Sequence, residues 1–324
     1  MREALARRLG ATALAAAVSG TVLWTLLAGV DRGVLLTTLG DASPWRLGLA
    51  LLLMPLIQWL RAWRFGLVLT GRPALPSMAM VWLAIRLVVC NFLLPFKLGE
   101  LSFPLMMRRA FGVEYARSAG ILVLVRCLDA GTAGALLCLA AGALLPGGAF
   151  GWSARALLAA GIAMLVGPLV LISAAAPLRQ LAARVPRLAP TALRLLWGAT
   201  MLHAPTARAQ AFVLTLAIWL AHAMLGWLAA SAVVSDISPI ATTLATAASN
   251  LAFALPLPAI AGLGPPQAAW AAALGLAGLP WSITVATALV SQAVILGGIV
   301  VLGLASLLTD LRSAHGVPLD LRAD

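Results

Sequence analysis

Asn91-Phe-Leu-Leu-Pro-Phe-Lys-Leu-Gly-Glu100 interrupts an apolar stretch that would otherwise suit a membrane interior. Proline lacks the backbone donor a helix needs and glycine accepts torsions that other residues resist, so Pro95 and Gly99 predict unwinding here. A second interruption lies in the other half of the chain, between Asn250 and Gln267, with Pro256, Pro258, Gly262, Gly264, Pro265 and Pro266. Irregular backbone at membrane depth is tolerated only where it lines a cavity or is buried in protein. Broken segments at corresponding positions of two halves point to a binding site near the midplane.

The rest of the composition agrees with a membrane setting. Apolar residues make up 62% of the 324 and charged residues only 10%, more apolar surface than a soluble domain of this size can bury. The formal net charge is +12, yet the basic residues cluster between apolar spans and no polar domain carries them. Anionic lipid headgroups and membrane orientation account for that charge, and nucleic acid is excluded as a partner. Cys90, Cys127 and Cys138 match no zinc, haem or redox spacing and read as buried free thiols. Arg2, Arg7 and Arg8 precede an apolar run that is too long for a signal peptide, so an uncleaved first helix is expected.

Full spans are predicted at about 11–29, 46–69, 116–140, 154–174, 209–233 and 281–307, each near the roughly 20 residues a crossing needs. Residues 75–109 and 240–278 carry the breaks. Arginine placement decides how they run. The 177–208 segment holds Arg179, Arg184, Arg187, Arg194 and Arg208 without an acid, which puts it and the N-terminus on the cytoplasmic side. The uncharged 141–153 and the balanced 30–46 then face outside. A complete crossing at 75–96 would export Arg108, Arg109 and Arg117; a re-entrant hairpin entering from the cytoplasm avoids this. The 240–278 hairpin then enters from the opposite face. An all-α polytopic protein is expected, with six spans and two opposed hairpins in an inverted repeat. The first 45 residues form a helix and outer loop, 46–140 the first repeat and 141–208 a connector with an interfacial helix at 187–208. Residues 209–308 form the second repeat, and 309–324 a cytoplasmic tail.

Ionisable groups inside the spans are Arg86, Lys97, Glu100, Arg126 and Asp129, each costing roughly 2.5–3.5 kcal/mol at a helix centre. Lys97 and Glu100 open a short helix running to Arg109, whose free N–H groups suit an anion such as phosphate; a local Lys97–Glu100 ion pair is the alternative. Arg126 and Asp129, three apart, can pair within one helix. Arg61 and Arg64 beside Trp59 and Trp63 read as snorkelling anchors, and Arg108 and Arg109 as contacts for lipid phosphates. His222 and His203 lack companions at metal-ligand spacing and read as packed or interfacial. Asn91 and Asn250 read as helix caps, with substrate contact as the alternative. No nucleophile triad, nucleotide-binding glycine loop or well-placed pair of catalytic carboxylates is present, so no cofactor or metal is expected.

Taken in order, Arg61-Ala-Trp-Arg64, Asn91-x-x-x-Pro95-x-Lys97-x-Gly99-Glu100, Arg126-x-x-Asp129 and Pro256 to Gly264 resemble the flippase-like membrane domain of lysylphosphatidylglycerol synthases. The resemblance covers about 46–308. That family includes stand-alone membrane proteins linked to lipid glycosylation and hopanoid biosynthesis, and a chain ending at Asp324 is expected to be one of these, without a synthase domain. The resemblance implies lipid translocation between leaflets of a bacterial inner membrane, with both termini cytoplasmic and membrane lipids as partners. Lys97, Glu100, Arg126 and Asp129 match the family's polar residues. Two positions depart from it: Gly262-Leu-Gly264-Pro-Pro-Gln267 stands where the family commonly has Gly-x-Gly-x-x-Glu, and Gln292 lies where an arginine is often found. Neutral glutamines there change the charge of the site but retain a possible hydrogen bond. An enzyme subunit acting on a lipid carrier, with Glu100 or Asp129 as base, and a partner of lipid-biosynthesis enzymes are the alternatives. Self-association stays open.

Overall fold

The computed structural model describes residues 2–72, 74–144, 153–174, 204–257, 259 and 261–309, with residues 177, 180 and 202. Eleven α-helices are described: α1 Arg2–Ala28, α2 Arg32–Gly40, α3 Pro44–Thr70, α4 Met78–Leu93, α5 Ser102–Phe111, α6 Tyr115–Leu144, α7 Ala154–Ser173, α8 Pro205–Ser231, α9 Pro239–Ala254, α10 Pro265–Leu276 and α11 Trp281–Leu307. No strand occurs among the described residues. The ends follow local chemistry. Ser77, Ser153 and Ser238 accept a backbone N–H of the first turn of α4, α7 and α9, and prolines at the start of α3, α8, α9 and α10 cost no helical hydrogen bond there.

Among the described residues, four helices are long and apolar enough to cross a membrane: α3, α6, α8 and α11. The other two spans expected from sequence, about 11–29 and 154–174, coincide with the C-terminal part of α1 and with α7. The outer loop expected after the first span instead contains α2, in which Thr37 Oγ1 donates to Gly33 O. The connector helix expected at 187–208 falls largely outside the described residues; its last four residues form the start of α8. The tail beyond Thr309 also lies outside them.

The order of elements recurs. A 27-residue helix, short helices of 16 and 10 residues and a 30-residue helix make up α3 to α6. Helices of 27, 16, 12 and 27 residues make up α8 to α11. At 1.5 Å per residue, the 16-residue members reach only about 24 Å, short of the hydrocarbon thickness. Packing recurs too: α3 lies against α8, α4 against α11, and α9 against α6, so each broken unit leans on the last long helix of the other half.

Small residues let the remaining helices close. Side chains at Gly131 and Gly134 of α6 would strike Pro168 and Met164 of α7, while one at Gly161 of α7 would strike Leu139, so α6 and α7 approach through glycine. α1 is tied to the second half where Ser19 Oγ donates to Leu263 O at 2.9 Å and Trp281 Nε1 to Leu26 O at 3.2 Å. All three cysteines are free, as expected, but Cys127 is exposed and Cys90 and Cys138 are half-buried.

Candidate functional site

Both breaks turn through left-handed backbone. After α4, Pro95 opens a 3-10 turn to Leu101, inside which Phe96 and Lys97 have φ of 56° and 58°. Side-chain-bearing residues resist that region at roughly 1–3 kcal/mol each, so the surroundings hold the turn in place. Gly99 returns against α4 so closely that any Cβ would collide with the backbone of Cys90 and Asn91. In the second break Ala261, Gly262 and Gly264 have φ of 53°, 63° and 103°.

The two turns meet. Ala261 N donates to Phe92 O at 3.0 Å, the Phe92 and Phe253 rings lie 4.7 Å apart, and Lys97 Nζ sits 3.1 Å from the Phe253 ring centroid. A cation over an aromatic face is held by the ring quadrupole, by roughly 0.5–2 kcal/mol depending on desolvation. Lys97 thus bridges the halves from its strained turn.

Behind this junction lies a cavity of about 380 Å³, bounded by the long helices and both breaks. Its charged wall is built from α3, α6 and the first turn. Arg64 is 1% exposed and forms a fork with Asp129, Nη1 to Oδ1 at 2.7 Å and Nη2 to Oδ2 at 3.0 Å, while Nη1 also donates to Thr215 Oγ1 at 3.0 Å. Arg126 forms a second fork: Nε donates to Glu100 Oε2 at 3.1 Å, Nη2 to Glu100 Oε1, and Nη1 reaches Asp129 Oδ2 at 3.4 Å. Asn91 Nδ2 and Trp219 Nε1 add donors to Glu100 and Asp129. Both carboxylates are therefore fully engaged by arginine.

Arg61 and Lys97 are not. Among the described residues neither has a carboxylate oxygen within ion-pair distance; Arg61 Nη2 lies 3.3 Å from His222 Nε2, and His222 Nδ1 lies 2.7 Å from Ile218 O. By formal charge, Arg61, Arg64, Lys97 and Arg126 stand against Glu100 and Asp129 in the cavity lining, an excess of two. Asp129 is the middle of a 30-residue helix, about 20 Å from either end, so this charge sits far from the helix termini.

The opposite wall is neutral. Gln267 Oε1 accepts from Gly264 N at 2.6 Å, and its Nε2 donates to Gly262 O at 3.2 Å and Gln292 Oε1 at 2.6 Å. Gln292 Nε2 donates to Ala261 O at 3.1 Å. The two glutamines thus make a closed hydrogen-bonded circuit that fixes the second turn without charge, and Trp270 Nε1 to Thr287 Oγ1 at 3.1 Å braces α10 on α11.

Of the residues singled out from sequence, Asn91, Lys97, Glu100, Arg126, Asp129, Asn250, Gly262 and Gln267 line the cavity. Pro95, Gly99, Pro256 and Gly264 do not; they shape the turns, and Pro256 is exposed. Several local expectations fail. The Lys97–Glu100 pair does not form, because the left-handed turn carries Lys97 to Phe253 while Glu100 faces Arg126. Arg61 and Arg64 are cavity residues, not surface anchors, and Trp59 and Trp63 stack edge-on at 5.1 Å against the core beside them. Neither asparagine caps a helix: Asn91 donates to Glu100, and Asn250 Nδ2 bonds back to Thr246 O at 2.9 Å within α9. The Arg126–Asp129 pair is present, although each has a closer partner elsewhere. Arg108 and Arg109 are exposed at the end of α5, with Arg108 4.8 Å from the Tyr115 ring centroid. His203 lies outside the described residues.

Sequence reasoning missed Gln58, Trp219, Phe253 and Ser291 as cavity residues. A signal existed for two: Gln58-x-x-Arg61 and Trp219-x-x-His222 place polar-tipped side chains one turn apart on a single face of otherwise apolar helices.

No group of three or more metal-binding side chains occurs among the described residues. A comparison with curated proteins gives no match. The family model for the lysylphosphatidylglycerol synthase TM region matches residues 12–303, a run that begins within α1, takes in both broken units and the whole charged wall, and ends within α11. The chain is a multi-pass membrane protein that belongs to this family.

Proposed function

We propose that the protein is a lipid translocase, moving a lipid with an anionic headgroup between the leaflets of a bacterial inner membrane. The carrying observation is the cavity's uncompensated Arg61 and Lys97, deep among long apolar helices where unpaired charge is costly. Such a site is stabilised by an anion, and a lipid phosphate is an anion already tethered in the bilayer. Taking a polar headgroup through hydrocarbon unaided costs several kcal/mol; donors from Arg61 and Lys97 would offset much of that.

In this reading the α4–α5 and α9–α10 units are opposed re-entrant hairpins of an inverted repeat, with both termini cytoplasmic. The headgroup enters the cavity while its chains remain in lipid. Access switches when the repeats tilt and the Lys97–Phe253 and Phe92–Phe253 contacts part on one side. An enzymatic reading with Glu100 or Asp129 as base fits less well, because both carboxylates are held by arginines.

The test is leaflet-resolved movement of labelled phospholipids and polyprenyl phosphates in proteoliposomes. Wild-type protein is expected to accelerate at least one lipid over protein-free vesicles, and Lys97→Ala to slow it by about 10- to 150-fold, the loss of one charge-assisted hydrogen bond at about 1.5–3 kcal/mol. Unchanged movement by well-folded Lys97→Ala protein would contradict the role given to that lysine.

A further inference from the structure

Most of the cavity lining is buried, and its few exposed residues mark where it opens. Of the residues that line it, only Ala130 of α6 and Ala254 at the end of α9 are exposed, and on α6 the Arg126 side chain, one turn from Ala130, is 41% exposed. Resting on the translocase reading, we infer that the cavity opens sideways into the bilayer between α6 and α9, and that a lipid straddles this mouth with its phosphate at Arg126 and its acyl chains outside.

α6 and α9 pack against each other, and Ala140 and Ala141 share an apolar cluster with Ala241, Leu244 and Ala245. Alanine lets the two backbones lie close there. Moving back along α6 and forward along α9, by about 15 Å on each, leads to Ala130 and Ala254. The helices therefore run antiparallel, and these two residues flank one place on their seam. Both line the cavity, so the seam that is sealed at Ala141 and Ala245 is open at Ala130 and Ala254. α9 ends at Ala254, and the seam stops with it.

Ala130 lies about 20 Å from either end of α6, at the depth of acyl chains. An arginine open to hydrocarbon at that depth is costly, by roughly 2.5–3.5 kcal/mol on insertion scales. Arg126 directs one N–H each from Nε, Nη1 and Nη2 to Glu100 and Asp129, which leaves two of its five for a ligand. The rim does not suit a water channel. Val123, Cys127 and Ala130 fall at i, i+4 and i+7 on one exposed face of α6, and Leu255 and Leu257 are exposed beyond α9. A small crevice lined by Leu94, Phe96, Leu255 and Leu257 joins the cavity at Lys97 and Phe253. A charged interior behind an apolar rim fits an amphiphile whose phosphate sits inside and whose chains lie along the rim. From Arg126 the phosphate passes inward to Lys97 and Arg61.

The experiment places bulk in the mouth. Ala130→Trp and Ala254→Trp are each expected to slow lipid movement in proteoliposomes at least about tenfold, the factor given by about 1.4 kcal/mol of added barrier. Leu220→Trp, at an exposed apolar position of α8 outside the cavity lining, is expected to move lipid at the wild-type rate. A wild-type rate in either mouth variant, with an unchanged unfolding midpoint, overturns the proposal and leaves translocation standing. A second measurement needs no transport. A nitroxide is placed on Ala254→Cys in protein whose three native cysteines are alanine and whose midpoint matches wild type. Oxygen dissolved in the bilayer is expected to relax it more strongly than a water-soluble nickel complex. Stronger relaxation by nickel shows a mouth open to water and overturns the proposal, even if the tryptophan variants misfold. If wild-type protein moves no lipid, translocation falls, and the nitroxide alone decides whether the mouth faces the bilayer.

Discussion

Asp129→Ala is expected to destabilise the protein by about 3–5 kcal/mol, the usual result of stripping the partner from a buried charge. Arg64 is 1% exposed, and its fork onto Asp129 is its main compensation; Thr215 Oγ1 alone cannot replace it. Arg126 would lose a carboxylate as well, raising the cavity's positive excess from two charges to three. Thermal unfolding of purified protein in detergent should show a large drop in midpoint or little folded protein at all. The double variant Arg64→Met/Asp129→Leu provides the control, because replacing both partners by apolar groups of similar volume is often neutral or stabilising. It should recover much of the lost stability while lacking the Arg64–Asp129 fork. A midpoint for Asp129→Ala close to wild type would mean that Arg64 is solvated and that the cavity is wetter than its burial implies.

Gly99→Ala is expected to be nearly as damaging. Its Cβ would meet the backbone of Cys90 and Asn91, not the movable end of a side chain, so α4 and the following turn would have to separate. Overpacking of this kind costs about 1–3 kcal/mol in a core, and here the displacement also pulls Glu100 from Arg126 and disturbs the left-handed Lys97. The effect should appear as a lowered unfolding midpoint together with slowed lipid movement. Gly112→Ala is the comparison: that glycine has φ of 69° but nothing within 4 Å of its would-be Cβ, so only backbone strain of roughly 1 kcal/mol is added. Similar behaviour of the two variants would show that close approach at Gly99 is not what shapes the turn.

Much of the architecture could be read from residues alone, since proline and glycine act locally. Pro95, Gly99, Gly262 and Gly264 mark breaks where the structure has them, and the span predicted at 281–307 coincides with α11. Features decided by chain reversal could not be read this way. Lys97 and Glu100 are three apart and look like a pair, but two left-handed residues send them to opposite partners. Arg61 and Arg64 carried the pattern of membrane anchors because tryptophans flank them; their partners His222 and Asp129 lie 161 and 65 residues away. Asp129 could be flagged as an unusual charge in an apolar helix, whereas its pairing with Arg64 depends on how α3 packs across α6. The Gln267–Gln292 bond had a sequence signal only through departures from the family pattern at those two positions.

The division of the cavity follows from the same facts. Repeated elements position both walls, yet the first half supplies every Arg, Lys, Asp and Glu of the cavity lining, alongside the amides of Gln58 and Asn91, and the second half supplies none. Under the proposed translocation, the headgroup phosphate would be held at Arg61 and Lys97 on the charged side. The contacts among Phe92, Phe253 and Lys97 join the two halves, and under the proposed alternating access they are the ones that would part.

The most direct measurement is the structure of the protein in nanodiscs of phosphatidylglycerol, compared with Lys97→Ala prepared identically. The account predicts a lipid phosphate within about 3 Å of donors from Arg61 and Lys97, and loss of that density in the variant. A cavity free of lipid in both, with phosphates confined to the outer surface near Arg108 and Arg109, would contradict it.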